Sequence, residues 1–137
     1  MAEFILSDAE FTFNTVDLSD HVKTVTFNLT SDAPDVTAMG DDWRDFLAGL
    51  RSFQITLDFY QDFAAGEVDA TFWAAFIGTN KTAFTLKPTS NATSGTNPVF
   101  SGNVIITNYD PITGTVGDAA MAPVTLQGAG ALTRATS

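Results

Sequence analysis

Apolar and polar positions alternate with a period of two through much of this chain, the repeat of a strand that buries one face. EFTFNTV, residues 10–16, sets Phe11 and Phe13 against Thr12 and Asn14 and predicts a first strand. After a polar turn at SDHV, the stretch KTVTFNLT puts Val25, Phe27 and Leu29 on one face and Thr24, Thr26, Asn28 and Thr30 on the other. The most regular stretch is SFQITLDFYQ, with Phe53, Ile55, Leu57 and Phe59 inward and Gln54, Thr56 and Asp58 outward. KTAFTLKP predicts a short strand ending at Pro88, and TSNATSGTNP an exposed loop of turn formers. VFSGNVIITNYDP predicts another strand, with a bulge or bend at Gly102. MAPVTLQGAGALTRA closes the series with Val124 and Leu126 inward and with Gly128 and Gly130 loosening its end.

The period changes once. In DFAAGEVDATFWAAFIGTN, the residues Phe72, Trp73, Phe76 and Ile77 recur at i, i+1, i+4, i+5, which gathers them on one helical stripe. The spacing predicts a helix over about 69–78, capped by Asp69, with Val68 stapled onto Trp73 and Gly78 in the left-handed position that ends it. The stripe is expected to cover the open face of a sheet. About six strands and one helix, without βαβ alternation, predict a mainly β fold: an antiparallel sandwich or partly open barrel with one packed helix.

One segment fits neither period. The connection of about 31–51 carries Asp32, Asp35, Asp41, Asp42 and Asp45 together with Val36, Met39, Trp43, Phe46, Leu47 and Leu50. Ordinary connections run to about 4–6 residues, and large apolar side chains rimmed by charge mark docking sites for other proteins. This predicts an assembly arm. Two blander readings stand beside it: Trp43 and Phe46 fold back over the core, or WRDFLAGL forms a short helix whose first turn the aspartates favour.

Composition narrows the partners. With sixteen acidic against six basic residues the formal charge is −10, which opposes adhesive binding to a phosphate backbone. Solubility alone accounts for such a charge, as does a surface that DNA must pass without sticking. An apolar fraction of 45% with 12 Phe predicts a folded core, and the length suits one domain, 1–137, with short segments expected to extend at 1–9 and 132–137. The absence of cysteine removes thiol and disulfide chemistry. No window has the apolar length of a membrane span and the first residues carry no basic leader, so the expected setting is a cytoplasm, without a membrane partner.

No catalytic constellation emerges. His21 is the single histidine and is expected at the surface of a turn, near Asp17 and Asp20. Asp41, Asp42 and Asp45 lack the spacing of a calcium loop, and no glycine run suits a phosphate, so neither metal nor cofactor is expected. A hydrolase would need paired carboxylates across a cleft, for which Asp58 with Asp62 is a candidate pair. An enzyme is the least favoured class.

In the order strand, strand, DVTAMGD (35–41), LAGL (47–50), alternating strand, DFAAG (62–66) and helix, the chain resembles the major tail tube protein of long-tailed bacteriophages over roughly residues 10–135. Val36, Thr37, Gly40, Asp41, Gly49 and Leu50 carry the likeness. The resemblance implies a structural subunit of a phage tail tube, hexameric in its rings, which stack into a hollow conduit for the genome. It implies self-association around and between rings, other tail proteins at the tube ends, transient passage of DNA without specific binding, and a place in the virion tail after assembly in the host cytoplasm. The arm residues Val36, Met39, Asp41, Asp42, Trp43, Phe46, Leu47 and Leu50 are then expected between subunits, and Asn28 and Asp58 are expected to face a negatively charged lumen. Two rivals remain: a capsid decoration protein, and a carbohydrate-binding module using Trp43, Trp73 and Tyr109 as a platform.

Overall fold

A computed structural model describes residues 5–78 and 80–136. The chain opens with a tight hairpin, β1 (Glu10–Phe13) and β2 (Val16–Asp17). The first strand therefore stops short of Val16. Asn14 and Thr15 both take positive φ, 52° and 65°, and Phe13 pairs with Val16 across them. Two successive left-handed residues match the twist of a two-residue hairpin, and asparagine is among the residues that tolerate this conformation.

A short 3-10 turn, Ser19–His21, leads into β3 (Val22–Ser31), and β4 (Arg51–Tyr60) returns beside it in antiparallel register from Val22 opposite Phe59 to Ser31 opposite Arg51. After α1 (Val68–Ile77) come β5 (Thr82–Lys87), β6 (Val99–Tyr109), β7 (Met121–Gly128) and β8 (Thr133–Ala135). The strands form one antiparallel sheet ordered β2-β1-β5-β6-β7-β4-β3, with β8 also on β6. Within the expected C-terminal extension, residues 133–135 continue the line of β7 along β6, pairing Thr133 with Ser101 and Ala135 with Val99. Gly130, at φ +120°, lies in the break between β7 and β8.

The sheet curls without closing. Its inner face brings Phe11 on β1 within 5.9 Å of Phe59 on β4, and Phe27 on β3 within 6.3 Å of Phe84 on β5, although these strands are not neighbours in the sheet. Phe11, Phe13, Phe53, Ile55, Leu57, Phe59, Phe84, Val104, Val124 and Leu126 are all buried there. The partly open barrel is thus realised, with a seam between β3 and the opposite edge of the sheet, formed by β1 and β2. Leu6 and Ala9 lie at that seam against Val25 and Phe27. Residues 1–4 of the expected N-terminal extension lie outside the described residues.

Gly128, at the end of β7, makes room for an aromatic ring. A methyl group at Gly128 would stand 2.6 Å from the Phe53 ring, whereas one at Gly102 would meet Phe53 and Phe84 at an ordinary 3.6 Å and crowd only the Ala131 carbonyl oxygen, at 3.2 Å. Gly102 is not a bulge, since it keeps regular register opposite Phe84. The register shift in β6 falls between Ile106 and Asn108.

The helix covers the core with fewer side chains than expected. Val68, Thr71 and Phe72 are buried, and the Phe72 ring packs at a tilt with its centroid 4.8 Å from that of Phe13 and 5.0 Å from that of Phe59. Trp73, Phe76 and Ile77 are exposed, at 54%, 46% and 61%. This helix is apolar nearly all round, so its own periodicity does not choose an inner face. Its ends also differ from expectation. Glu67 is the N-terminal boundary residue, and Gly78 is extended at φ −71°, not left-handed. Asp69 lies inside the first turn, where its carboxylate accepts the Tyr109 hydroxyl at 2.8 Å.

Candidate assembly surfaces

The arm is an ordered tongue continuing the β3–β4 hairpin. Its two legs are laced by backbone hydrogen bonds: Asp32 N–H to Leu50 O at 2.8 Å, Gly49 N–H to Asp32 O at 2.6 Å, Leu47 N–H to Pro34 O at 3.0 Å and Val36 N–H to Asp45 O at 2.8 Å. Asp35 and Phe46 form an isolated bridge. Nothing larger than glycine fits at Gly49, where a Cβ would come within 2.9 Å of the Asp32 Cβ. At the tip, Asp41 accepts the Ala38 amide at 2.8 Å and donates its own amide to Ala38 O, and Gly40 turns the chain at φ +96°. WRDFLAGL is therefore a return leg, not a helix, because cross-leg pairing occupies its amides.

Polar side chains set the tongue's shape. The side chain and amide of Thr37, with Arg44, hold the Asp35 carboxyl below the usual carboxylate range. The Arg44 guanidinium lies 3.0 Å from that carboxylate, and the Thr37 hydroxyl accepts the Asp45 amide at 2.7 Å. The apolar side chains are left in solvent. Met39 and Trp43 are fully or nearly fully exposed, Leu50 is 83% exposed, and Val36, Phe46 and Leu47 are exposed as well. The reading that folds Trp43 and Phe46 over the core is overturned: the tongue projects beyond the sheet, out of the core's reach. Asp41 and Asp42 lie on the tip, and among the described residues Asp41, Asp42 and Asp45 form no metal-ligating group.

Strand β3 offers a second surface. It pairs with β4 only, so along its ten residues one edge lacks a strand partner among the described residues. Free edges of that length invite pairing with another chain. Adjacent to it is the sheet's outward face, built in rows by the register: Asn28, Gln54 and Gln127; Thr26, Thr56 and Thr125; Thr24 and Asp58. Asn28 and Asp58 do share this face. It is mainly amide and hydroxyl, with Asp58 its one carboxylate in these rows, whereas five aspartates sit on the tongue.

The remaining chemistry candidates are dispersed. Asp58 opposes Thr24, while Asp62 faces His21, so the two carboxylates do not meet across a cleft. Tyr109 lies under the helix, 5.9 Å from Phe72, and burial pushes its phenol up to about 12. Trp73 lies on the exposed helix side and stacks on Phe76 at 6.5 Å, while Trp43 is on the tongue. Half-buried Tyr109 cannot complete a platform with them. His21 is not a free surface residue: its side chain is 17% exposed and packed among three carboxylates. No helix among the described residues is long and apolar enough to cross a membrane.

No family model and no curated protein matches the sequence. Solved structures do match. A chain in the virion of a native gene transfer agent particle superposes with a TM-score of 0.76 at 19% identity, over 93% of this chain and 95% of that one. The SPP1 tail tube gives 0.74 at 14% identity, over 95% of this chain and 77% of its own. The fold is that of a tail-tube subunit. A chain from the tail of an empty gene transfer agent particle, refined helically with C6 symmetry, gives 0.68 at 21% identity over 82% of this chain and 81% of that one. The tail-tube fold accounts for the open sheet with a single helix.

Proposed function

We propose that this chain is the structural subunit of a phage-type tail tube, associating into hexameric rings that stack into a conduit for DNA. The observation that carries the reading is the tongue: a hydrogen-bonded projection on a tail-tube fold that holds Met39, Trp43 and Leu50 in water. Burying each such side chain against a neighbour contributes about 1.5–3 kcal/mol. The free edge of β3 is satisfied by a neighbouring copy in the same ring, which removes a template for uncontrolled aggregation. The six-fold symmetry of a structurally similar tail supports the ring number.

In this reading the outward face that carries Asn28 and Asp58 looks into the lumen. Hydroxyls and amides offer DNA weak, exchangeable hydrogen bonds, and Asp58, repeated around each ring, repels phosphate. DNA passes without specific contacts, other tail proteins close the tube ends, and the subunit performs no chemistry. The chain is then a single 1–137 unit, assembled in the host cytoplasm and carried in the virion tail.

Negative-stain microscopy of concentrated protein tests this. The wild-type chain is expected to form tubes or six-fold rings, and Trp43→Ala to weaken polymerisation with an unchanged far-UV circular dichroism spectrum. Persistence of the wild-type chain as a monomer under every nucleating condition, or undiminished polymerisation of Trp43→Ala, would overturn the proposal.

A further inference from the structure

One group of side chains has no part in the assembly surfaces. His21 closes the turn before β3, and Asp62 and Glu67 flank the loop that leads into α1. His21 Nε2 lies 3.0 Å from Asp62 Oδ2 and 3.6 Å from Glu67 Oε2. The three ligand atoms fall within 4.8 Å of one another, the only such group among the described residues.

We propose that His21, Asp62 and Glu67 form a binding site for a divalent cation of the zinc class, which ties the β2–β3 turn to the loop before α1. The spacing suits the ion. Zinc bonds to nitrogen and oxygen of about 2.0–2.1 Å in a tetrahedron place neighbouring ligand atoms roughly 3.3 Å apart, and the two distances from Nε2 straddle that value.

The surroundings also orient the ligands. Asp20 Oδ1 lies 2.9 Å from His21 Nδ1 and accepts that N–H, which fixes the ring with Nε2 toward Asp62; Nε2 donates to Asp62 Oδ2 in the metal-free chain, and the ion takes its place by releasing that proton to solvent. Asp62 Oδ1 accepts the Ala64 amide at 2.9 Å, which turns Oδ2 toward the histidine. The loop is itself braced, because the Asp69 amide donates to Asp62 O and the Gln61 side chain donates to Pro111 O. One imidazole among Asp20, Asp62 and Glu67 leaves excess negative charge there even when the ring is protonated, and a dication neutralises it. Asp62 and Glu67 are about one-third exposed, which leaves an approach for the ion and room for water as a fourth ligand.

The test uses the full, untagged chain, stripped with chelator and titrated with zinc chloride by calorimetry and by proton NMR. His21 is the only histidine, so its imidazole protons report the site without assignment of other residues. Expected are one zinc per chain, a shift of both imidazole signals at that stoichiometry, and no response to magnesium, a hard oxygen-seeking ion. Asp20→Asn is expected to bind roughly 10- to 100-fold more weakly. Asp62→Asn and Glu67→Gln, each checked for native circular dichroism, are expected to weaken binding further. Imidazole signals in the wild-type chain that ignore zinc overturn the proposal outright. Binding equal to wild type in both Asp62→Asn and Glu67→Gln, or binding that survives His21→Asn, overturns it as well.

Discussion

Gly128→Ala places a methyl group where the Phe53 ring already lies. The added carbon would stand 2.6 Å from two ring atoms and 2.8 Å from a third, well inside the roughly 3.5–4.0 Å at which carbon atoms attract. Phe53 has little room to yield. It is 4% exposed and held between Phe27 at 6.0 Å and Phe84 at 5.8 Å. Overpacking a filled core costs about 1–3 kcal/mol, against about 0.4–1 kcal/mol by which alanine favours folding over glycine through the unfolded chain. At about 2 kcal/mol, the urea midpoint should fall by roughly 1 M and Tm by about 6–12 °C. Far-UV circular dichroism is the assay.

A double-mutant cycle decides whether the mechanism is right. Phe53→Leu destabilises the native chain but opens space at Gly128, so the double variant should be more stable than the summed single effects by about 1–2 kcal/mol. Additive effects would refute the steric account even if Gly128→Ala alone proved destabilising. A neutral Gly128→Ala would refute it more directly, showing that the sheet relaxes around the methyl group.

Phe72→Ala should lower stability by about 3–5 kcal/mol, because it empties a site enclosed by Phe13, Phe59 and Tyr109. Trp73→Ala, one residue along, should stay within roughly 1 kcal/mol of wild type in chemical denaturation; a reversed order would mean that the helix presents its other side to the sheet. With Tyr60→Phe as background, absorbance titration should find Tyr109 ionising near pH 12. Its pKa is raised on folding, so its contribution to stability is complete below about pH 10 and is lost as pH rises to about 12. Tyr109→Phe should remove that alkaline slope, and an unchanged slope would assign it elsewhere. Gly49→Ala should disturb the tongue without unfolding the barrel, because the clash with Asp32 at 2.9 Å lies between the legs; amide exchange in residues 32–50 should quicken while β4 stays protected.

The strands were legible where both cross-strand partners share the alternation. Ile55, Leu57 and Phe59 read as buried because each sits in register with inward-facing residues of β3 and β7, including Phe27 opposite Ile55 and Val124 opposite Leu57. The hairpin at Asn14 and Thr15 was hidden because Asn14 continues the period of two, and Thr15, which breaks it, is a β-branched residue common in strands. In the helix, adjacent Phe72 and Trp73 carry equivalent sequence signals. Only the position of Phe13 and Phe59, supplied by distant strands, selects the first for burial.

The tongue's apolar content was visible, but its cross-leg pairing of Val36 with Asp45 was not, and its return leg imitated a short helix. Outward placement of Asn28 and Asp58 followed from alternation, whereas the scarcity of acids on their face emerges from the register across three strands. The triad escaped notice for a different reason. His21 and Asp62 are separated by 41 positions, and local spacing says nothing about a pair that the fold brings together.

Both indoles lie in water, Trp43 at 87% exposure on the tongue and Trp73 at 54% on the helix. Intrinsic emission from the isolated chain should therefore begin red-shifted and change little on denaturation, making it a poor gauge of unfolding. The same placement makes it a sensitive gauge of docking. A blue shift that develops with concentration, while the circular dichroism stays constant, would register contact at the tongue or helix before any filament grows long enough to scatter light.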